Sequence, residues 1–156
     1  MLLLGWFGSD KRPVNLSEVT EQVGSDDLED GKSCGRQLSL EPMRKGTTHR
    51  LRAEDLAILE LGNLRLVDPE KQEREVRAHD PEPTVMSGGP VDDAVKDAFA
   101  HGLVRLGEIR FDKSHTHAVV FFSFVCGNLC GNVNAEILTR TKSGWKLQKR
   151  CGGWVS

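Results

Sequence analysis

Two cysteines give the clearest chemical signal in this chain. Cys126 and Cys130 are separated by three residues in the stretch FFSFVCGNLCG, and each is followed by a glycine, Gly127 or Gly131, that allows a tight turn. A disulfide between them requires the loop to fold back until the Cα atoms lie within about 7 Å. Redox catalysts instead use C-x-x-C at a helix N-terminus, so the longer spacing argues against a thioredoxin-like enzyme. The pattern favours a disulfide staple.

The cysteine count leaves the pairing open. The chain has four cysteines, which allow three pairings. We favour Cys126–Cys130, which leaves Cys34 and Cys151 as the second pair. The alternative is four reduced thiols, and the redox state of the compartment decides between the two.

Two histidines extend the cysteine pair into a possible metal set. His115 and His117 begin the apolar run that ends at Cys126 and Cys130, and in a strand their side chains point the same way. Nine residues of strand correspond to about 30 Å. A joint metal site therefore needs the sheet to curl back on itself, and otherwise these histidines are exposed at the mouth of a strand.

The second half of the chain has the periodicity of β-structure. Residues 116–126 are apolar on both faces, which predicts a central strand covered on both sides. Residues 132–140 alternate, with Val133, Ala135 and Ile137 facing inward and Glu136 outward. The segment TKSG, ending in Gly144, predicts a hairpin. Strands at 102–111, 116–126, 132–140 and 144–155 therefore predict a four-stranded antiparallel meander.

The first half favours helices. We predict helices over 17–23, with Ser17 as N-cap, over 52–64, and over 90–102, where Gly102 ends the helix. Residues 68–90 hold four of the six prolines and predict a long mobile loop. The expected fold is α+β, with N-terminal helices packed on the meander and possibly cystatin-like.

Length and composition place the chain in one domain. Its 156 residues predict a single α+β domain over 16–156, preceded at 1–15 by a flexible segment or signal remnant. Net charge is −2, and residues 101–156 carry eight basic against three acidic residues. Nucleic-acid binding would need a denser basic stripe with stacking aromatics, yet the chain has no tyrosine. No apolar run reaches the roughly 18 residues of a membrane span.

The C-terminal third resembles a family of uncharacterised, mostly bacterial proteins. The family pattern comprises F-[ND]-x-x-x-x-x-A-[LV]-V, matched at 111–120, C-G-x-L-C-G, matched at 126–131, a K-x-G-x-W hairpin near 142–145, and a terminal W-[IV]-S at 154–156. This chain is one residue shorter than the hairpin pattern, because Trp145 directly follows Gly144. Family members often carry secretion or lipoprotein signals, so the resemblance implies an extracytoplasmic site but no particular activity.

These observations favour a non-catalytic domain that binds an unknown protein or small ligand, or has a structural role, without a cofactor. We expect it to be periplasmic or secreted, with the cytoplasm as the alternative. The competing hypotheses are an enzyme with a pocket on the concave sheet face and a thiol-based redox or metal sensor at Cys126 and Cys130. The inward strand positions are apolar apart from Ser123 and Thr139, so no catalytic residue is predicted.

Overall fold

A computed structural model describes residues 13–21, 38–41, 48–54 and 63–151 of the chain. Within these ranges, no helix is long and apolar enough to cross a membrane. The described residues form seven strands and three named helices. These are β1 (Val14–Ser17), β2 (Leu64–Val67), α1 (Pro69–Ala78), α2 (Glu82–Met86), α3 (Val91–His101), β3 (Leu103–Leu106), β4 (Arg110–Phe111), β5 (His117–Gly127), β6 (Cys130–Thr141) and β7 (Gly144–Cys151).

All seven strands belong to one mixed sheet. Its order is β2-β1-β3-β5-β6-β7, with β4 paired to β5. Strand β1 runs parallel to both β2 and β3, whereas the remaining pairs are antiparallel. The α+β class is confirmed, but the sheet is not the predicted four-stranded antiparallel one. Strands β3, β5, β6 and β7 are antiparallel neighbours in the predicted order, within a larger mixed sheet. The prediction failed because β1 and β2, at four residues each, are too short to show a period.

The long strand β5 is covered on both faces, as its sequence predicts. On one face Phe124 packs with Val104 of β3 and Ala98 of α3. On the other face Val119 and Phe121 pack with neighbours from β6 and β7. The predicted single strand over 102–111 is instead split, because β3 ends at Leu106 and β4 begins at Arg110.

The hairpin at TKSG is confirmed. Thr141 pairs with Gly144, whose φ of +109° is a backbone conformation that favours glycine. Strand β7 follows and reaches Cys151, and the remainder of the predicted strand lies outside the described residues. Every β7 residue before Cys151 is exposed, so this strand forms a solvent-facing edge of the sheet.

The segment 68–90, which was predicted to be a long mobile loop, contains two helices, because its prolines start helices. Pro69 is the first residue of α1, and Asp68 caps that helix by accepting a hydrogen bond from the Lys71 amide at 2.8 Å. Pro81 and Pro90 are the N-cap residues of α2 and α3. Proline suits the first turn of a helix, where its missing N–H has no intrahelical partner to lose.

Helix α3 confirms the prediction for 90–102. Its C-terminus is fixed by Asn15 of β1, whose side-chain amide donates a 3.0 Å hydrogen bond to the Gly102 carbonyl. The Asn15 side-chain oxygen in turn accepts from the Arg65 guanidinium of β2 at 2.6 Å. Asn15 is almost fully buried, so this polar link joins two parallel strands to the helix inside the core.

The other N-terminal predictions fare less well. Ser17 ends β1, and its hydroxyl donates to the Val19 carbonyl at 2.7 Å. Residues 17–21 of the helix predicted over 17–23 are not helical, and residues 22–23 lie outside the described residues. Val14 and Asn15 belong to the sheet, whereas residues 1–12 of the segment predicted over 1–15 lie outside the described residues. Of the helix predicted over 52–64, residues 53–54 are helical, Leu64 begins β2 and 55–62 lie outside the described residues.

Candidate functional site

The cysteine motif forms a stapled hairpin between β5 and β6. Cys126 and Cys130 are disulfide-bonded with their Cα atoms 5.0 Å apart. The register shifts between Val125 and Gly127, which inserts Cys126 as an extra residue opposite the partner strand. This β-bulge, together with the pairing of Gly127 with Cys130, brings the two sulfur atoms together across three intervening residues.

Only some of the predicted turn and pairing residues behave as expected. Gly127 has a φ of +141° at the entry to the turn, whereas Gly131 lies within β6 and pairs with Val125. Cys34 lies outside the described residues, so its pairing with Cys151 stays a prediction. Cys151 is buried in the core beside Ala135, and it is not a free thiol.

The predicted joint metal set is not assembled. His117 is the first residue of β5 and pairs with Thr139, at the end of the strand opposite the disulfide. Its Nδ1 lies 3.2 Å from a carboxylate oxygen of Asp112, and His115 Nε2 lies 3.2 Å from Glu41. The sheet does not curl back, so the cysteines and these histidines remain separate.

The tip of the stapled hairpin docks on the corner between α1 and α2. The backbone amide of Asn128 donates to the Asp80 carboxylate at 3.2 Å, and the Asn128 side chain donates to Glu82 at 2.7 Å. A Cβ atom at Gly127 would lie 2.6 Å from both the Asp80 carboxylate and the Pro81 ring. The hairpin therefore approaches this corner closely because residue 127 has no side chain.

A cleft of about 260 Å³ lies beside this contact, between α1 and the sheet. Four of its residues recur at helical spacing on one side of α1 and just beyond its end, and the rest come from β3, β5 and the hairpin tip. The lining residues are Glu73, Val76, Arg77, Asp80, Leu103, Arg105, Val125, Gly127 and Asn128.

The cleft combines an apolar floor with charges of both signs. Arg105 is mostly buried and makes ion pairs with Glu73 and, at 2.9 Å, with Glu21. Arg77 is largely exposed and lies 3.3 Å from Glu73. With Asp80, which also lines the cleft, two cations and two anions line the opening, so its formal charge is balanced.

The comparisons with known proteins give this cleft no precedent. No protein-family model, curated protein or solved structure matches this chain.

The cleft was missed because its helix was interpreted as a loop. A signal was nevertheless present, since Asp68-Pro69 is a helix start and Glu73, Val76, Arg77 and Asp80 follow at intervals of three and four residues. A helix with this spacing presents those four side chains on one face. The sequence does not show which part of the sheet that face meets.

The sequence predicted that Glu136 points outward from its strand, but its side chain is buried. It is 1% exposed, and one of its carboxylate oxygens, Oε2, has no hydrogen-bond partner. Burial raises its pKa, while the charge and hydrogen bond of Arg150, whose Nε lies 3.2 Å away, partly oppose that shift. Glu136 pairs with Val120 of β5. Because side chains alternate along a strand, Val120 and Glu136 lie on the sheet face opposite Val125 and the cleft.

Proposed function

We propose that this protein is a non-catalytic binding domain whose cleft takes a small polar molecule carrying both positive and negative groups. The observation that carries the proposal is the balanced set of charges around an apolar floor. Arg77 offers an exposed guanidinium to an anionic group, while Asp80 offers a carboxylate to a cationic one. Leu103 and Val125 supply apolar contact between them.

The volume of the cleft limits the size of the ligand that it can hold. Sites for drug-sized ligands usually enclose about 300–1,000 Å³. At about 260 Å³ the present cleft fits a smaller molecule, and the paired charges favour a zwitterion of amino-acid size. The stapled hairpin and the Arg105–Glu73 ion pair support the walls, which lowers the ordering free energy lost on binding.

The placement of reactive groups supports binding over catalysis. Glu136, the described carboxylate with a raised pKa, lies on the sheet face away from the cleft. The sulfur atoms nearest the cleft are bonded to each other, so neither is a free nucleophile.

We also propose an extracytoplasmic site of action. A pair of cysteines held at disulfide distance is typical of oxidising compartments. The resemblance of residues 111–156 to a family with frequent export signals points the same way. A cytosolic chain would keep these thiols reduced, and the hairpin would then lack its covalent link.

The binding proposal is tested with a panel of free amino acids and related zwitterions. We expect at least one to raise the melting temperature of the full chain and to show saturable binding by calorimetry. Arg77→Gln should weaken that binding about tenfold or more, the loss typical of a charge-assisted hydrogen bond. Arg74→Gln is the matched control, since Arg74 is exposed on the same helix but does not line the cleft.

Absence of binding or of an effect of the variant would contradict the proposal: either no zwitterion in the panel binds, or Arg77→Gln leaves the binding unchanged. Equal losses in the Arg77 and Arg74 variants would place the ligand elsewhere on α1.

A redox sensor remains the second candidate, because the disulfide-bearing hairpin also forms a wall of the cleft. Gly127 and Asn128 belong to both features. A sensor requires the Cys126–Cys130 bond to be reduced within the potential range of its compartment, whereas a structural disulfide typically resists reduction. Redox titration of the intact chain against glutathione separates the two, and a potential below about −300 mV would reject the sensor.

A further inference from the structure

Helices α1 and α3 bring together two histidines and two carboxylates on a surface separate from the cleft. Glu75 and His79 are four residues apart at the end of α1, and Asp97 and His101 are four residues apart at the end of α3. Side chains at this spacing lie on the same face of a helix. Each helix therefore contributes one histidine and one acid to the junction.

The side chains at this junction are in direct contact. Nδ1 of His79 lies 2.7 Å from a carboxylate oxygen of Asp97, and Nδ1 of His101 lies 3.0 Å from the Asp97 backbone carbonyl. The two imidazole rings are stacked, with centroids 3.5 Å apart and planes 2° from parallel. One ligand atom from each of Glu75, His79 and His101 lies within 4.8 Å of the others.

We propose that Glu75, His79 and His101 bind a divalent transition-metal ion, with Zn²⁺ as the best-suited probe. Imidazole nitrogen selects Zn²⁺, Fe²⁺, Ni²⁺ or Cu²⁺ over the oxygen-seeking Mg²⁺ and Ca²⁺. Two imidazoles and one carboxylate form a donor set that zinc enzymes and non-haem iron proteins use, with further positions open to water. Both histidines are about one-third exposed, so an ion can reach them from solvent.

Asp97 supports the two imidazole ligands. Its carboxylate accepts a hydrogen bond from Nδ1 of His79, which leaves the Nε2 lone pair of that ring free for a metal. The Asp97 carbonyl does the same for His101. A carboxylate or carbonyl bonded to the outer nitrogen is the usual companion of a metal-ligating histidine.

Metal binding requires a small rearrangement of the rings. The lone pairs of two parallel stacked imidazoles run side by side, so the rings must tilt apart to aim at one ion. Such a tilt calls for rotation about the side-chain torsions of both histidines. The ion would then cross-link the end of α1 to α3, whose present contacts include a hydrogen bond of 2.7 Å from Gln72 to the His101 carbonyl.

The metal site does not depend on the proposed ligand cleft. The cleft uses residues 73, 76, 77 and 80 of the α1 segment, whereas the metal site uses residues 75 and 79. Loss of either function should therefore leave the other intact.

The test is calorimetric titration of the tag-free, oxidised full chain with Zn²⁺ after treatment with a chelator. We expect saturable binding of one ion per chain, with weaker binding in acidic solution because protons compete with the metal for its ligands. His79→Gln and His101→Gln should each lower the affinity about tenfold or more, and Asp97→Asn should lower it about 10- to 100-fold. His115→Gln is the matched control, since His115 is an exposed histidine beside a carboxylate elsewhere.

A second measurement guards against variants that lose structure. The imidazole proton resonances of His79 and His101 in the unmodified chain should shift on adding Zn²⁺, while those of His115 should not. The proposal is overturned if the unmodified chain shows no saturable binding. It also fails if the ion perturbs other histidines and leaves His79 and His101 unmoved.

Discussion

Asp112 and His117 are joined twice, because the Asp112 carboxylate accepts a 3.0 Å hydrogen bond from the His117 backbone amide and lies 3.2 Å from that residue's Nδ1. The same carboxylate accepts from the Thr116 amide and from the hydroxyls of Ser114 and Thr116. These bonds close the turn between β4 and β5. The backbone bond from His117 is the main cause of an Asp112 pKa well below its ordinary value, with burial opposing it and the side-chain bonds adding to it.

Replacing Asp112 with asparagine should therefore destabilise the protein at neutral pH. Because the pKa is lowered in the folded state, the stabilisation is present above the ordinary value of about 3.9 and is lost as the pH falls below it. Urea unfolding at pH 7 and pH 3 should show a gap between the wild type and Asp112→Asn that narrows at pH 3. Asp92→Asn, at an exposed acid, should have a smaller effect, and a gap that does not narrow would refute the assignment.

Glu136 should show the opposite pH dependence. Because burial raises its pKa, the folded state binds the proton more tightly and stability falls as pH rises from about 4.3 through the folded-state pKa. The free energy of unfolding falls by about 1.4 kcal/mol for each unit by which the folded-state pKa exceeds the unfolded-state pKa. Glu136→Gln should remove this dependence and be more stable than the wild type at pH 7, as measured by urea unfolding.

The control for that prediction is Glu70→Gln, which changes an exposed acid on α1. This variant and the wild type should show almost the same change in unfolding free energy between pH 4 and pH 7. A Glu136→Gln variant less stable than the wild type at pH 7 would show that the interaction with Arg150 outweighs the desolvation of the carboxylate.

Removing the staple should cost about 2 kcal/mol of unfolding free energy, the value expected for closing so short a loop. Both cysteines are buried, so the double variant Cys126→Ala/Cys130→Ala avoids placing new polar groups in the core. Urea unfolding measures the change, and intact mass after alkylation without reductant counts free thiols. Labelling of Cys126 and Cys130 in the untreated chain would rule out the staple.

Gly127→Ala should be more damaging than Gly144→Ala, although both glycines have positive φ. The new methyl group at 127 meets Asp80 and Pro81, whereas nothing lies within 4 Å at 144. Backbone strain is common to both variants, and overpacking adds about 1–3 kcal/mol at position 127 alone. Thermal unfolding of the two variants makes the comparison, and equal losses would contradict the close docking of the hairpin.

The sequence was most informative where local pattern determines structure. The two-sided apolar run at 116–126 identified the central strand, and the short C-x-x-x-C spacing identified the cysteine pair. Both features depend on residues close together in the chain. Helix α3 was predictable for the same reason, because Pro90 and Gly102 bracket it.

The parts that failed depend on distant partners. Strand β1 is held by β2 and β3, which come much later in the chain, and four residues carry no period of their own. Alternation along β6 placed Glu136 correctly relative to its neighbours but could not show that its face is buried. The cleft was out of reach because it needs α1 and the hairpin tip to meet, and α1 was taken for a loop.

The position of β1 has a consequence for how the chain is assembled. Because β1 lies between β2 and β3, those two strands are not neighbours in the sheet, and among the described residues β2 pairs with residues 14–17. The first described strand, β1, thus pairs with strands that lie about 50 and 88 residues later in the chain. Contacts between residues so far apart in sequence raise the contact order, and a high contact order slows folding. During synthesis on the ribosome, β1 can pair with β2 once residue 67 has emerged, but its other edge stays open until residue 104 has followed.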